Sequence, residues 1–307
     1  MAINESARLG DKPVMEARPG VTPVVGAGRR PAALPEQPVV VNDAEAVLAS
    51  FRLRDLWAYR ELLLFLTWRD VKVRYKQTAM GATWAIIQPL FIVLTFAVFF
   101  GLLVGVPTEN LPFLVFYYCG LLPWTFFANA VTQSSMSLVG SANLITKVYF
   151  PRAIVPAAAV GACLVDLLIA AAILVGMSAY YGLGRTSQVL MLPVLVALTA
   201  LLALGLGMWL AALTVKYRDV RHALPFVLQL WMFLTPIIYP LDIVPERWRW
   251  LMFLNPLTGI VEGLRDALAG RAFNWTALGL SALVTLLILC AAAYAFQRIE
   301  KSFADLI

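Results

Sequence analysis

Few residues in this chain have the type and spacing to do chemistry. His222 is the single histidine and sits in a short polar connection. No His or Cys cluster accompanies it, so it reads as a surface residue. The phosphate-cradling pattern GxxxxGK[ST] is absent, as is HExxH, which excludes nucleotide hydrolysis by a P-loop and zincin chemistry on this chain. Cys119, Cys163 and Cys290 each fall in apolar sequence with no pairing pattern and are expected to be buried small hydrophobes. Two sets of carboxylates remain. Asp242, Glu246, Glu262 and Asp266 concentrate in one polar segment without an Asp-x-Asp metal motif, and a membrane glycosyl or acyl transferase would have to place its acid–base work there. Asp166 stands alone inside a long apolar run. An ionisable group in hydrocarbon costs about 3 kcal/mol and is functional by default. No other apolar run offers it an acid, base or histidine, so a role in a transport path or in coupling and a role as a hydrogen-bonded packing residue both stay open.

The elements that must hold these residues are membrane helices. Six apolar stretches, at about 86–106, 111–137, 154–181, 189–215, 225–241 and 277–296, carry Asp166 as their one formal charge. Each approaches the roughly 20 residues that a helix needs to cross the hydrocarbon core, where backbone polar groups must be satisfied within the helix itself. Hydrophobic residues make up 61% of the 307, and charged ones only 14%. That balance suits an all-α integral membrane protein, with residues 49–307 as one membrane domain and no room for a soluble catalytic domain of ordinary size. The net charge of +6 is spread along the flanks of the spans rather than gathered in a patch, which argues against nucleic acid. With six spans both termini share a side. That side carries fourteen Lys and Arg against five opposite, which predicts cytoplasmic termini.

Residues 1–48, rich in Pro, Gly, Ala and Val, read as a disordered cytosolic tail. Over 51–80 the period becomes helical. Leu53, Leu56, Trp57, Leu64, Trp68, Val71 and Tyr75 form an apolar stripe, with Arg54, Arg69, Lys72 and Lys76 mostly off it. The pattern predicts an amphipathic helix lying in the membrane interface or packed on a soluble partner. The segment 138–152 holds Leu144, Ile145, Val148 and Tyr149 at helical spacing ahead of Pro151, which fits a short helix pressed on another protein or an interfacial turn. In the external segment 242–276 a helix over 256–269 would carry Glu262, Arg265 and Asp266 on a charged face. Its apolar face would hold Leu257, Ile260, Val261, Leu264 and Leu268, and it could dip into the bilayer under cover of protein or a water-filled cavity.

Taken together, the motifs identify a family. WRDVKVRYKQTAMGATW (68–84) followed by QPL (88–90), GLLPWTFF (120–127), NLITKVYFPR (143–152), KYRDV (216–220), TPIIYP (235–240) and NPLTG (255–259) resemble, in order, the type-2 ABC exporter permeases that move polysaccharides and polyol phosphates. The resemblance covers 51–307. Met80, where a leucine is expected, and the extended N-terminal tail depart from the pattern.

The resemblance implies six transmembrane helices with an N-terminal interface helix and short external re-entrant gate helices. It implies a homodimer of permeases with two copies of a separate ATPase, which binds ATP and Mg, in a bacterial inner membrane. The cargo would be a lipid-linked glycan such as an O-antigen. This chain would carry no catalytic residue, cofactor or metal of its own. Asn143, Leu144, Ile145, Lys147, Tyr149, Phe150 and Arg152 would form the coupling helix against the ATPase. Trp68, Arg69, Asp70, Lys72, Arg74 and Tyr75 would belong to the interface helix, and Asn255, Pro256, Glu262, Arg265 and Asp266 to the external gate. Aromatic faces suit pyranose C–H faces, which makes Phe91, Tyr117, Trp124 and Trp231, with Asp166, candidates for the path. Teichoic acid or capsule is an alternative cargo, and a permease for a drug or simple lipid would share the fold.

Overall fold

Uncharged apolar runs become long helices because hydrocarbon leaves the backbone no other partner than itself. The computed structural model describes residues 58–76, 80–148, 150–184 and 186–300. The N-terminal tail, residues 51–57 and 77–79 of the expected interface helix, and Tyr149 and Arg185 lie outside the described residues. In chain order the helices are α1 (Arg60–Lys76), α2 (Trp84–Phe96), α3 (Phe113–Gly140), α4 (Ala142–Lys147), α5 (Ile154–Tyr180), α6 (Leu192–Lys216), α7 (Val220–Leu234), α8 (Glu246–Phe253), α9 (Pro256–Ala269) and α10 (Trp275–Glu300). A π-helical segment, Ala97–Leu103, extends α2.

Five of these have the length and apolar character to cross a membrane: α2 with its extension, α3, α5, α6 with the preceding turn, and α10. The sixth expected span is different. Its helix begins at Val220, earlier than the expected 225, and stops at Leu234. Pro236 disfavours helical geometry at the residue before it, and Thr235 is extended at φ −99°, ψ 136°. Fifteen residues make a helix of about 22 Å, short of a roughly 30 Å core.

At the centre lies α3, with 78% of its most apolar window buried against 17% for α2, so α2 is a peripheral helix. The main core joins α3, α5, α6 and α9 through Phe116, Phe127, Leu167, Leu202, Ile260 and their neighbours. A second core gathers Leu66 of α1, Leu138 of α3, Phe150, Ile154 of α5, Ala211 of α6 and Phe296 of α10 at one end of the bundle. The two ends are named here for α1 and α9.

Of the stripe expected on α1, Leu64 and Trp68 lie on exposed faces while Tyr75 turns inward to Asp166. Leu62, Leu63 and Leu66 face the protein, whereas Leu64, Phe65, Trp68 and Val73 are exposed on other faces. Lys72 shares the Trp68 face, its Nζ 5.6 Å from the ring. A helix that rests on protein on one side and meets another apolar environment on the other has no single polar face. Cys290 departs from expectation as well, being exposed, while Cys119 and Cys163 are buried.

The α9 boundaries fall where the sequence places them. Asn255 caps the N-terminus by accepting from Leu257 N–H at 3.1 Å, Pro256 occupies the first turn, and Gly270 ends the helix at φ 70°. The expected charged face is not solvent-facing. Arg265 is wholly buried along with the apolar residues, because α3, α6 and α10 wrap the helix. Gly259 lets α9 approach α10; a Cβ there would lie 2.7 Å from the Ala277 carbonyl oxygen.

Candidate functional site

At the α1 end, the isolated Asp166 gains partners from a helix outside the spans. Arg74 of α1 donates to Asp166 Oδ2 through Nη1, and to Gln133 Oε1 of α3 through Nη2 at 2.6 Å. The same Nη2 lies 3.6 Å from Cys163 Sγ, so Cys163 is more than a space-filling residue. Tyr75 OH donates to Asp166 Oδ1 at 2.5 Å. Burial and this bond push the Tyr75 phenol up to about 12, keeping it a donor. α1 thus carries Arg74 and Tyr75 inward on the turn after Asp70, whose own carboxylate pairs with Arg69 at 2.8 Å. Asp166 has the hydrogen-bonded environment that sequence alone left as one of two possibilities.

The cluster forms one wall of a cavity of about 360 Å³ between α1, α2, α3 and α5. Trp84, Gln88, Asn129 and Gln133 also line it, with apolar Leu122, Phe126 and Leu167. The volume lies within the roughly 300–1,000 Å³ that small-molecule sites occupy. Sequence reasoning counted only formal charges in the spans and so passed over Gln88, Asn129 and Gln133, whose amides were visible signals in apolar runs.

Between α3 and α5 the short helix α4 rests Leu144 and Ile145 on the second core, with Phe150 buried beneath. Asn143, Thr146, Lys147 and Val148 are left exposed, and Arg152 is partly buried. The expected coupling residues therefore divide into an inner anchor of Leu144, Ile145 and Phe150 and an outer polar face.

At the α9 end a second charged cluster forms. Arg265 Nη1 donates to Glu262 Oε1 at 2.9 Å, one turn back, and Nη2 donates to the Ile237 carbonyl at 2.9 Å. The guanidinium stacks 3.7 Å from the centroid of the Phe116 ring. Ile237 belongs to the extended stretch after α7, and Gly120 makes room for it: a Cβ there would lie 2.9 Å from the Ile237 oxygen. Arg271 donates to Glu109 Oε2 at 2.5 Å and to its carbonyl at 2.9 Å, holding a turn in which Glu109 and Asn110 both have positive φ. Burial raises the Glu262 carboxyl to about 7 against the pull of Arg265, and raises Asp266 to about 6 against that of Arg271. Burial lowers Arg265 from its ordinary value. Glu109 is a carboxylate of this end that sequence reasoning missed.

Asn255 is the hinge of this end. Besides capping α9, its Oδ1 accepts from Trp231 Nε1 at 3.1 Å and its Nδ2 donates to Thr235 Oγ1 at 2.8 Å. TPIIYP and NPLTG are thereby one structure, with the break in α7 stitched to the cap of α9.

The five candidate path residues are distributed. Trp124 and Trp231 sandwich Phe127, at ring distances of 5.8 and 5.3 Å. Tyr117 is fully buried beside Phe116 with an unpartnered hydroxyl, towards the α9 end. Asp166 borders the cavity, and Phe91 is 66% exposed on α2. Among the described residues no His, Cys, Asp or Glu group of metal-binding size occurs.

This arrangement has recognisable relatives. The chain is 31% identical over 256 residues to the O-antigen export system permease protein RfbA of Myxococcus xanthus, covering 82% of this chain and 98% of that protein. It is 26% identical over 248 residues to the protein of the same name from Klebsiella pneumoniae, with 80% and 95% covered. It is also 26% identical over 235 residues to the polysialic acid transport protein KpsM of Escherichia coli, with 73% and 88% covered. Residues 61–269, from α1 through the buried helix α9, match the family described as ABC-2 type transporter. Five bilayer-length helices, the buried α9 and this match over most of the chain lead to one conclusion: the protein belongs to the ABC-2 type transporter family, as a membrane-spanning permease.

Proposed function

We propose that this chain is the permease subunit of an ATP-driven exporter that carries a lipid-linked polysaccharide of O-antigen type from the cytoplasmic to the external side of the inner membrane. The observation that carries the reading is the similarity to the Myxococcus xanthus permease over 98% of that protein's length. The chain is a non-catalytic subunit, and a separate ATPase binds ATP and Mg. Two permeases pair, and two ATPases dock on the α1 end, where α4 presents Asn143 and Lys147 from a face anchored by Leu144, Ile145 and Phe150. The surplus of Lys and Arg supports a cytoplasmic position for that end and for both termini. α7 and the extended stretch after it make a sixth crossing. Its irregular backbone is tolerated at membrane depth because Thr235, Ile237 and Ile238 are buried in protein. In the closed state Arg265, Glu262 and Asn255 hold the external gate, and the candidate path residues Trp124 and Trp231 pack against Phe127 in the core rather than lining an open route. A capsule-type polymer is the second reading, favoured by the similarity to KpsM.

Deleting the gene and fractionating the lipid-linked glycan by membrane side tests the proposal. Finished polymer accumulating on the cytoplasmic leaflet, with surface glycan lost, is the expected result. A truncated or absent polymer would instead point to a biosynthetic enzyme.

A further inference from the structure

We infer that the cavity between α1, α2, α3 and α5 binds a neutral pyranose ring. On the exporter reading, on which this inference rests, the ring is one sugar unit of the cargo, held in the permease itself before it crosses. Charge excludes an anionic ligand. Among the described residues Arg74 is the one cation of the wall, and it is already paired with Asp166, so a phosphate would meet a carboxylate as well as a guanidinium. Polarity excludes a lipid tail. The exposed amides of Gln88 and Asn129 make no hydrogen bond within the described residues, and Asn129 stands near the middle of α3. Leaving such amides against hydrocarbon would cost several kcal/mol, so what fills the cavity must hydrogen-bond. Water can do so; a ring of hydroxyls does so and in addition presents C–H faces to the Trp84 indole and to Phe126. Asp166 and Gln133 complete the set, since each keeps acceptor capacity beyond its bonds to Arg74 and Tyr75.

The test uses the full-length chain in lipid nanodiscs and a diazirine-bearing octyl glucoside as the probe, with adducts mapped by peptide mass spectrometry. Adducts are expected on the peptides that carry Trp84, Gln88 and Asn129. Octyl glucoside should compete them away and octyl phosphate should not. The Gln88→Ala/Asn129→Ala variant, which changes only exposed positions, should lower labelling at least fivefold, and Asn129→Ala alone should lower it in part. Adducts elsewhere, labelling unchanged in both variants, or equal competition by octyl phosphate would overturn the site. Competition by glucose alone, at the concentration at which octyl glucoside competes, would identify a free sugar as sufficient; competition only by the glucoside would identify a lipid-linked one. Both results uphold the pyranose site. In cells the double variant separates this inference from the exporter reading: labelling lost with surface glycan intact overturns the site's role in holding the cargo and leaves the exporter reading standing. Wild-type labelling at these peptides that is lost in the double variant, with polymer truncated on gene deletion, overturns the exporter reading and leaves the pyranose site standing.

Discussion

The two ends of the bundle each hold an arginine on an acid, and they are built in opposite ways. At the α9 end Arg265 pairs with Glu262 three residues away, is fully buried, and also donates to a carbonyl and stacks on an aromatic face, its Nε finding no partner among the described residues. At the α1 end Arg74 reaches Asp166 across 92 positions, and both side chains keep about a quarter of their surface open beside a cavity. A dry local pair locks elements together, because removing one partner strands the other charge. A wet long-range pair fixes the wall of a space while leaving room to bind and move. The difference is one of a closed, dry contact at one end and an open, wet one at the other.

The comparison breaks first at Arg265. Arg265→Ala would strip Glu262 and the Ile237 carbonyl of their partner, and should cost about 3 kcal/mol or more, read as a lower thermal midpoint in detergent and less protein in membranes. The corresponding change at Arg74 should cost far less. A similar loss at both positions would refute the contrast.

Next in size is the response to pH. The Glu262 carboxyl is raised to about 7, so the folded protein holds its proton better than the unfolded chain. Stability from this group is present below the unfolded value near 4.3 and is lost as pH rises through about 7, by up to about 3 kcal/mol. Asp266, at about 6, adds to the same slope. Thermal midpoints should fall between pH 5 and pH 8 in the wild type, and the Glu262→Gln/Asp266→Asn variant should be nearly flat there.

Asn255→Ala should follow. It removes the cap of α9 and the bonds to Trp231 and Thr235, for about 1–3 kcal/mol, and should increase proteolysis between α7 and α9. Asn255→Asp keeps the acceptor and should recover the part that belongs to the cap.

The smallest effect is expected at the wet pair. A double-mutant cycle of Arg74→Gln and Asp166→Asn should give a coupling of about 1 kcal/mol or less, because solvent screens a part-exposed pair. A coupling as large as the Arg265 loss would mean that the cavity is closed to water.

Much of α9 was legible because its signals are local. Asn255, Pro256 and Gly270 punctuate the helix within its own sequence, and its apolar residues follow a helical period. The burial of Arg265 was not legible, since a charge beside Glu262 and Asp266 reads equally well as a solvated face until α3, α6 and α10 close over it. On α1 the side formed by Leu62, Leu63 and Leu66, which faces the protein, was not legible either, beside a stripe of which Leu64 and Trp68 are exposed. Periodicity counts apolar residues but does not say which of two apolar environments each one meets. The break after α7 was not read from the sequence: the expected span began at Pro225, later than Val220, and ran on through Pro236 to 241.

By itself the sequence determined that the chain is helical and lives in a bilayer, where its apolar runs lie, and which ordered motifs tie it to a transport family. These follow from local quantities, namely run length, charge and turn residues. The tertiary structure alone decided that Asp166 meets Arg74 and Tyr75, that Glu109 meets Arg271 across 162 positions, and that TPIIYP and NPLTG form one joint through Asn255. Those contacts depend on how separate helices pack, and no local pattern encodes the partner of a side chain dozens of residues away.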